Sequence, residues 1–310
     1  MSVEFIDFSC KHNILIKNPD GSFSPMDEPY FEVEQIDDTT WKILTSGDYT
    51  YLIAGDGEAM AFDTGYGAGN IRRYMESVCH LPVECAINSH DHFDHTAGNP
   101  YFEKVYMTEK GAKYATIPYP SFDGIDFHAD EYERVVVHDG DIIPLKGREL
   151  EVIEIQDHAP SSLMVLDRKN RILFSGDEIF GAPFKPLGRG LTSWVNGLRK
   201  IKDHIDEFDF ALGGNGKLPK EHVLGFINVA EYALAHPEEA VKPEPRKGGP
   251  GGPPAFPDHD GHTVYDRMFP HSGDRTTYDP EDRPKAKPEN MVMLEKDGYR
   301  IGFDITLINE

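Results

Sequence analysis

The alternation of apolar and polar residues becomes regular from residue 41 onward. Two short apolar runs, 49–54 and 59–62, flank a Gly-Asp-Gly sequence and predict a β-hairpin. Residues 70–79 repeat apolar side chains at intervals of three and four, which predicts an amphipathic helix. Residues 83–88 predict a further strand, directly before a very polar segment.

The downstream half continues this mixture of strands and helices. Short apolar runs between polar turns predict a β-rich stretch from 134 to 174. Helices are predicted at 191–208 and 221–236, with a short strand at 210–212 between them. Runs of strands with interspersed helices are typical of two packed sheets covered by helices. The expected fold class is therefore α/β, a four-layer α/β/β/α sandwich.

Proline and glycine help to divide the chain into four parts. Residues 1–40 are mixed and polar and predict an irregular N-terminal lead-in, followed by the main domain at 41–236. Residues 237–290 contain 11 prolines and 6 glycines, a composition that excludes a long helix or a central strand. We predict a lid or an arm there. Residues 291–310 predict a hairpin that packs back on the main domain.

Composition narrows the function classes. The 310 residues include 31 Lys and Arg against 54 Asp and Glu, a formal net charge of −23, which disfavours nucleic acid as a partner. No apolar run approaches the roughly 20 residues that span a bilayer, and the N-terminus lacks the pattern of a signal peptide, so we expect no membrane partner. Three cysteines without CxxC spacing indicate reduced thiols and a cytoplasmic location.

A cluster of metal-ligating residue types follows the strand predicted at 83–88. Five potential ligands fall within six positions, in the sequence His90-Asp91-His92-Phe93-Asp94-His95. Because side chains at i and i+2 of a strand point to the same side, we expect His90 and His92 to reach one metal. Asp94 and His95 lie past the turn and can reach a second position. Imidazole and carboxylate suit zinc, iron or manganese.

The segment matches the HxHxDH signature of the metallo-β-lactamase-fold hydrolases. The chain resembles that family over about residues 41–236, beyond the motif itself. The resemblance includes three further features, namely a DTG turn at 63–65, a lone histidine after a strand at His158, and an SGD sequence that ends at Asp177.

The resemblance implies a first metal site of His90, His92 and His158. It implies a second site of Asp94, His95 and Asp177, with Asp177 shared between the two metals. One or two zinc ions per chain are implied, with iron or manganese as alternatives. Three imidazoles leave an open position on zinc for water, and Asp94 can accept or orient the proton of that water.

One position departs from the family pattern. Where family members usually carry the last histidine of the second site, the chain has Asn215. Three alternatives stay open, since Asn215 can ligate weakly or through water, another histidine can replace it, or the second site can be empty. His222 is one replacement candidate, and His259 and His262 of the predicted insertion are two others.

The resemblance implies a metal-dependent hydrolase that acts on a small molecule. A metal-held hydroxide would attack the carbonyl of an ester, thioester or lactone. The alternatives are a di-iron redox or oxygen-handling protein, a metal-binding protein with reduced catalysis, and hydrolysis of a phosphodiester. Phe180, Phe184 and Trp194 are candidates to line an apolar pocket, although core packing is the favoured interpretation. A homodimer is a further alternative that the sequence leaves open.

Overall fold

The computed structural model describes eight stretches of the chain, residues 15–17, 23–25, 31–45, 48–65, 70–115, 132–214, 216–243 and 278–310. The first two stretches form a pair of short antiparallel strands, β1 (Leu15–Lys17) and β2 (Phe23–Pro25). Among the described residues, no helix has both the length and the apolar composition needed to cross a membrane.

The first large sheet has seven strands in chain order. They are β3 (Phe31–Asp37), β4 (Thr40–Thr45), β5 (Asp48–Ala54), β6 (Ala59–Phe62), β7 (Cys85–Ile87), β8 (Lys104–Met107) and β9 (Glu133–Val136). The pairs up to β5–β6 are antiparallel, and the pairs from β6–β7 to β8–β9 are parallel. Parallel neighbours need crossovers, and the three α-helices described in this half each lie within one of them. The helices are α1 (Ile71–Cys79), α2 (Phe93–Thr96) and α3 (Glu109–Tyr114).

The second large sheet has six strands and the two longest helices. Its strands are, in spatial order, β10 (Ile142–Leu145), β11 (Arg148–Glu154), β12 (Leu163–Asp167), β13 (Ile172–Gly176), β15 (Phe210–Gly213) and β16 (Gly216–Pro219). The helices are α4 (Leu191–Asp203) and α5 (Lys220–Ala235).

A small third sheet joins the end of the chain to the second half. The hairpin of β17 (Met291–Lys296) and β18 (Tyr299–Asp304) turns at Asp297 and Gly298. β18 also pairs in parallel with β14 (Phe184–Pro186). Buried side chains of the hairpin, such as Ile301 and Phe303, lie in the same apolar cluster as α4 and α5. The chain end therefore packs on the helical layer of the second sheet.

The layers follow from the alternation of side chains along the strands. On β5, Leu52 and Ala54 pack in the cluster that contains α1, whereas Tyr51 and Ile53 face the second sheet. On β12, Met164 lies in the cluster with α4 and α5. Three apolar clusters therefore separate helices, sheet, sheet and helices, which is the predicted α/β/β/α order.

The lead-in predicted as irregular at 1–40 is wrong at its C-terminal end. Residues 31–37 form β3, an edge strand whose backbone pairs with β4. Only Phe31 of this strand is fully buried, so its sequence carries little apolar alternation. The helix predicted at 191–208 is also too long, because α4 ends at Asp203. Most of the predicted insertion at 237–290 lies outside the described residues.

Arg148 joins the two sheets at one end of the sandwich. Its side chain, only 1% exposed, forms an ion pair with buried Asp167 of β12, with Nε donating at 2.9 Å. Nη1 donates across to the first sheet, to the carbonyls of Thr39 (3.2 Å) and Ala54 (3.0 Å). A planar guanidinium can satisfy acceptors on both sheets at once, which a flexible ammonium group does less well.

Replacing Arg148 with methionine is expected to reduce the free energy of unfolding by about 3–5 kcal/mol, because Asp167 stays buried without its cation. Urea unfolding at equilibrium measures the loss. Arg168→Met is the matched control, since Arg168 is 42% exposed and pairs with surface glutamates. We expect this control to lose at most about 1 kcal/mol. Equal losses in the two variants would contradict a specific role for the buried pair.

Candidate metal centre

The segment 90–95 leaves the first sheet as a tight loop. β7 ends at Ile87, so His90 and His92 lie in the loop and not on a strand as predicted. α2 then carries Asp94 and His95. The carbonyl of His95 accepts the Thr64 N–H at 2.9 Å and the Asn88 side-chain amide at 3.1 Å. The loop is therefore fixed by buried hydrogen bonds rather than by strand pleating.

Three histidines form a first candidate ligand group. One ring nitrogen each of His90, His92 and His158 lies within 4.8 Å of the others. His158 Nε2 is 3.1 Å from His92 Nδ1, and the His90 ring centroid lies 4.8 Å from that of His158. His158 comes from the loop between β11 and β12, so the second sheet completes a group begun by the first.

A second candidate group lies directly beside the first. It contains His90, His95 and Asp177, with ligand atoms again within 4.8 Å. Asp177 follows β13, and its Oδ2 lies 3.6 Å from His95 Nε2 and 3.7 Å from His158 Nε2. Asp94 Oδ2 lies 3.8 Å from His95 Nε2. The Asp177 carboxylate thus stands between the histidine trio and the Asp94–His95 pair.

The polar atoms that converge here lack hydrogen-bond partners among the described residues. These buried atoms are His90 Nε2, His95 Nε2, Asp94 Oδ1 and Asp177 Oδ1. A buried polar atom without a partner is costly, and four of them aimed at one region are unusual in a folded protein. Imidazole nitrogens and carboxylate oxygens at these spacings fit one or two divalent metal ions.

Asp63 orients a histidine in each half of this region. Its Oδ2 accepts from His95 Nδ1 at 2.9 Å and from Ser89 Oγ at 2.8 Å, and its Oδ1 accepts the Ser89 N–H at 2.7 Å. Ser89 Oγ is also 2.9 Å from His90 Nδ1. With both Nδ1 atoms engaged, the Nε2 atoms face the shared region, which is how outer residues usually fix metal-ligating histidines.

The pKa shifts in this region agree with neutral imidazoles at His90 and His158. Burial lowers the pKa of His90 and of His158 well below the usual value, and neighbouring histidines lower it further. Burial acts to raise the pKa of Asp177, but His95 and His158 outweigh it and hold that pKa below its usual range. A neutral imidazole and an ionised carboxylate are the forms that bind a metal.

Buried Lys185 supports the segments that carry His158 and Asp177. Its Nζ lies 3.4 Å from Glu178 Oε2 and 3.5 Å from Asp157 Oδ2. Glu178 Oε1 accepts the backbone N–H groups of Asp157 (2.9 Å) and His158 (2.8 Å). Glu178 directly follows Asp177 in the chain, so this ion cluster holds the backbone at His158 close to Asp177.

Asp91 turns away from the ligand groups and ties neighbouring segments together. Its carboxylate accepts from the Ser161 hydroxyl and, at 2.6 Å, from the Tyr278 hydroxyl. Tyr278 stacks edge-on against Tyr114 of α3, with ring centroids 4.8 Å apart. The chain that returns at residue 278 is thus anchored directly behind the 90–95 loop.

Four residues were candidates for completing the second group, and only His222 is among the described residues. The suggestion that His222 completes the second group is wrong. Its Nε2 lies 2.7 Å from the Phe180 carbonyl, and its Nδ1 lies 3.2 Å from the Tyr299 hydroxyl. Both nitrogens are engaged, so His222 links α5 to the C-terminal hairpin. Asn215 lies outside the described residues, as do His259 and His262.

Of the three candidates for an apolar pocket, Trp194 packs in the core, which was the favoured interpretation. Trp194 is fully buried in the core between α4 and the second sheet. Phe184 lies on β14, with its ring 5.5 Å from the Arg300 guanidinium. Phe180 alone of the three adjoins the centre, half-buried, with its ring centroid 6.1 Å from that of His158.

The structure adds residues that sequence reasoning missed. Asp48 of β5 offers a carboxylate oxygen within 4.8 Å of ligand atoms of Asp94 and His95. No motif surrounds Asp48, so only the sheet order reveals it. Asp63 was noted only as part of the DTG turn, and its orienting role was missed. Its backbone lies in the left-handed region (φ 61°), which is rare for a residue other than glycine and which the sequence alone does not reveal.

A sequence model of the metallo-beta-lactamase superfamily matches residues 47–208, more than half of the chain. The chain belongs to the metallo-beta-lactamase superfamily. Solved superfamily structures share its fold. The Pontibacter korlensis metallo-beta-lactamase superposes with a TM-score of 0.51 at 17% identity, covering 65% of this chain and 99% of that one. The Erythrobacter litoralis enzyme gives a TM-score of 0.52 at 13% identity, covering 67% and 99%.

Curated superfamily relatives are named as thioesterases. Human acyl-coenzyme A thioesterase MBLAC2 is 25% identical over 186 residues, which is 50% of this chain and 63% of that protein. The atrochrysone carboxyl ACP thioesterase of Aspergillus fumigatus is 22% identical over 159 residues, 50% of this chain and 47% of that protein. The chain thus spans less than two thirds of the length of these relatives.

Asp63→Asn is expected to weaken zinc binding about 10–100-fold, because an amide cannot accept from His95 and both Ser89 donors at once. Competition of zinc against a chromophoric chelator measures the affinity. Asp203→Asn, at an exposed position at the end of α4, is the matched control and should bind zinc as the natural chain does. A folded Asp63→Asn protein with unchanged affinity would contradict the orienting role of Asp63.

Proposed function

We propose that the chain is a metal-dependent hydrolase that cleaves thioesters or related carboxylic esters and lactones. The observation that carries the proposal is the pair of adjoining ligand groups that share His90, with unpaired buried nitrogens and oxygens facing one region. The relatives named as thioesterases support thioesters as the first substrate class to test.

Zinc is the proposed metal, with one or two ions per chain and iron or manganese as alternatives. His90, His92 and His158 would hold the first ion. Asp94, His95 and Asp177 would hold the second, with Asp177 between the two positions. A bound divalent metal supplies Lewis acidity and an activated water at neutral pH.

Asp94 is proposed to take the proton of the attacking water. Burial raises the pKa of Asp94 well above its usual value, Asp48 and Asp177 add to the rise, and His95 only partly offsets it. Asp94 Oδ2 lies 3.8 Å from His95 Nε2, and its Oδ1 has no hydrogen-bond partner among the described residues, so the carboxylate is placed to accept a proton beside the proposed metal positions and to return it to the leaving group.

Phe180 is proposed to contact the acyl part of the substrate. Its half-buried ring stands beside His158 and within 4.6 Å of Lys185 Nζ. Its carbonyl is held by His222, so the position of this segment is fixed from α5. An aromatic ring held at the edge of the ligand groups offers an apolar surface to an acyl chain.

The same ligand residues are compatible with two other functions, and each predicts a different experimental result. A di-iron redox or oxygen-handling protein would carry iron and absorb visible light. A metal-binding protein with reduced catalysis would bind metal and turn over no ester. Three further expectations stay predictions. The cytoplasmic location and the lack of a nucleic-acid partner rest on composition alone, and the homodimer rests on no contact described in the structure.

The purified chain, loaded with zinc, is expected to hydrolyse acyl-coenzyme A thioesters or simple carboxylic esters and lactones. Removal of metal by a chelator should abolish the activity, and added zinc should restore it. A panel that includes a phosphodiester separates the substrate classes. Turnover of the phosphodiester alone, or none of the panel, would contradict the proposed class.

Asp94→Asn is expected to lower kcat about 10²–10⁴-fold, since the amide cannot accept the proton. Zinc at the histidine trio should remain, as measured by elemental analysis of the purified variant. Asp203→Asn serves as the control and should keep natural activity. A kcat within threefold of the natural chain would remove Asp94 from the proton transfer.

A further inference from the structure

Asp48 extends the second ligand group on the side where the sequence lacks a histidine. Ligand atoms of Asp48, Asp94 and His95 all lie within 4.8 Å of one another. His95 also belongs to the group with His90 and Asp177, so the two sets of donors meet at the same imidazole. Asp48 is half-buried, at the first position of β5.

The fold holds Asp48 in this place through strand β5. Asp48 pairs with Thr45 across the β4–β5 hairpin, and the Thr45 hydroxyl donates to the Asp48 carbonyl at 3.1 Å. Three residues further along β5, the buried Tyr51 hydroxyl donates to the Gly213 carbonyl at 2.6 Å. This bond fixes the start of β5 against the end of β15, in the other sheet.

Gly214 leaves room for two carboxylates at this junction. A Cβ at Gly214 would collide with Asp177 Oδ1 and lie 3.4 Å from Asp48 Oδ1. The carboxylates of Asp48 and Asp177 therefore both border the space that a side chain at position 214 would fill. A residue with any side chain would push at least one of them away from His95.

A buried atom without a partner points independently to a ligand here. His95 is fully buried, its Nδ1 is held by Asp63, and its Nε2 has no hydrogen-bond partner among the described residues. The free Nε2 faces Asp94 Oδ2 at 3.8 Å and Asp177 Oδ2 at 3.6 Å. Three carboxylates around one such nitrogen form a donor set for a divalent cation.

We propose that Asp48 supplies an oxygen ligand to the second metal position, with Asp94, His95 and Asp177, where the family pattern uses a histidine. This inference rests on the proposed metal centre and deepens it. An oxygen-rich set favours manganese or iron(II) relative to a set with two imidazoles. The second position should therefore accept Mn²⁺ more readily than the trio of His90, His92 and His158 does.

The test is a titration of metal-free protein with Zn²⁺ and with Mn²⁺, with metal counted by elemental analysis. We expect two ions per natural chain. Asp48→Asn should keep one tightly bound ion and lose at least about 10-fold in affinity for the second. Asp203→Asn should match the natural chain. Circular dichroism of each metal-free variant checks that the fold is kept.

A second variant and a spectroscopic readout separate a ligand from a hydrogen-bonding residue. Asp48→Asn keeps a side chain that can hydrogen-bond to Asp94, whereas Asp48→Ala does not. If Asp48→Asn binds both ions as the natural chain does and only Asp48→Ala fails, the proposal is overturned. Co²⁺ loading supports it if the absorption of the second equivalent changes in Asp48→Asn and that of the first does not.

The remaining outcomes distinguish this inference from the proposed function. A natural chain that binds a single ion, with unchanged affinity in Asp48→Asn, overturns the role of Asp48 and leaves hydrolysis at the histidine trio intact. A natural chain that binds two ions, loses the second in Asp48→Asn and hydrolyses no ester upholds Asp48 and overturns the proposed function.

Discussion

The arrangement of the centre depends on the buried carboxylate of Asp63. A buried charge is stable only when its oxygens are satisfied, and Asp63 accepts from the Ser89 backbone, the Ser89 hydroxyl and His95 Nδ1. Through Ser89 it also reaches His90 Nδ1. One carboxylate thus fixes which ring nitrogen of His90 and of His95 faces the ligand region. The left-handed backbone conformation of Asp63 (φ 61°) is strained, and this hydrogen-bond network stabilises it.

The second sheet contributes its donors through a separate buried cluster. Lys185, Glu178 and Asp157 fix the backbone at His158, while Glu178 is the neighbour of Asp177 in the chain. Each half of the sandwich therefore holds its own ligand residues through its own buried hydrogen bonds. Ser161 joins them, because its hydroxyl donates to Asp91 beside the first group. Because Nδ1 of His90 and Nδ1 of His95 are engaged in these buried networks, the Nε2 atoms of both rings are held near Asp177 without a hydrogen-bond partner of their own among the described residues.

The sequence predicted what local patterns encode. The four-layer order followed from alternation along the strands, and the segment 90–95 and Asp177 stood in recognisable motifs. Asp48 and Lys185 could not be found in this way, because each meets its partners only through packing between sheets. β3 was missed because an edge strand buries little, whereas the helical spacing around Trp194 already favoured core packing, as the structure has it. Residues with a role set by tertiary neighbours carry no local signal.

Charge distinguishes the two ligand groups and bears on the substrate. The first position offers three imidazoles, which are uncharged in the form that binds a metal, whereas the second position, with the proposed ligand Asp48 included, gathers three carboxylates beside His95. Two divalent ions held by these donors would leave one net positive charge, less than a histidine in place of Asp48 would leave. With both ions bound, such a weakly positive centre would attract the single charge of a developing oxyanion, while the net charge of −23 would repel a polyanion from the chain as a whole.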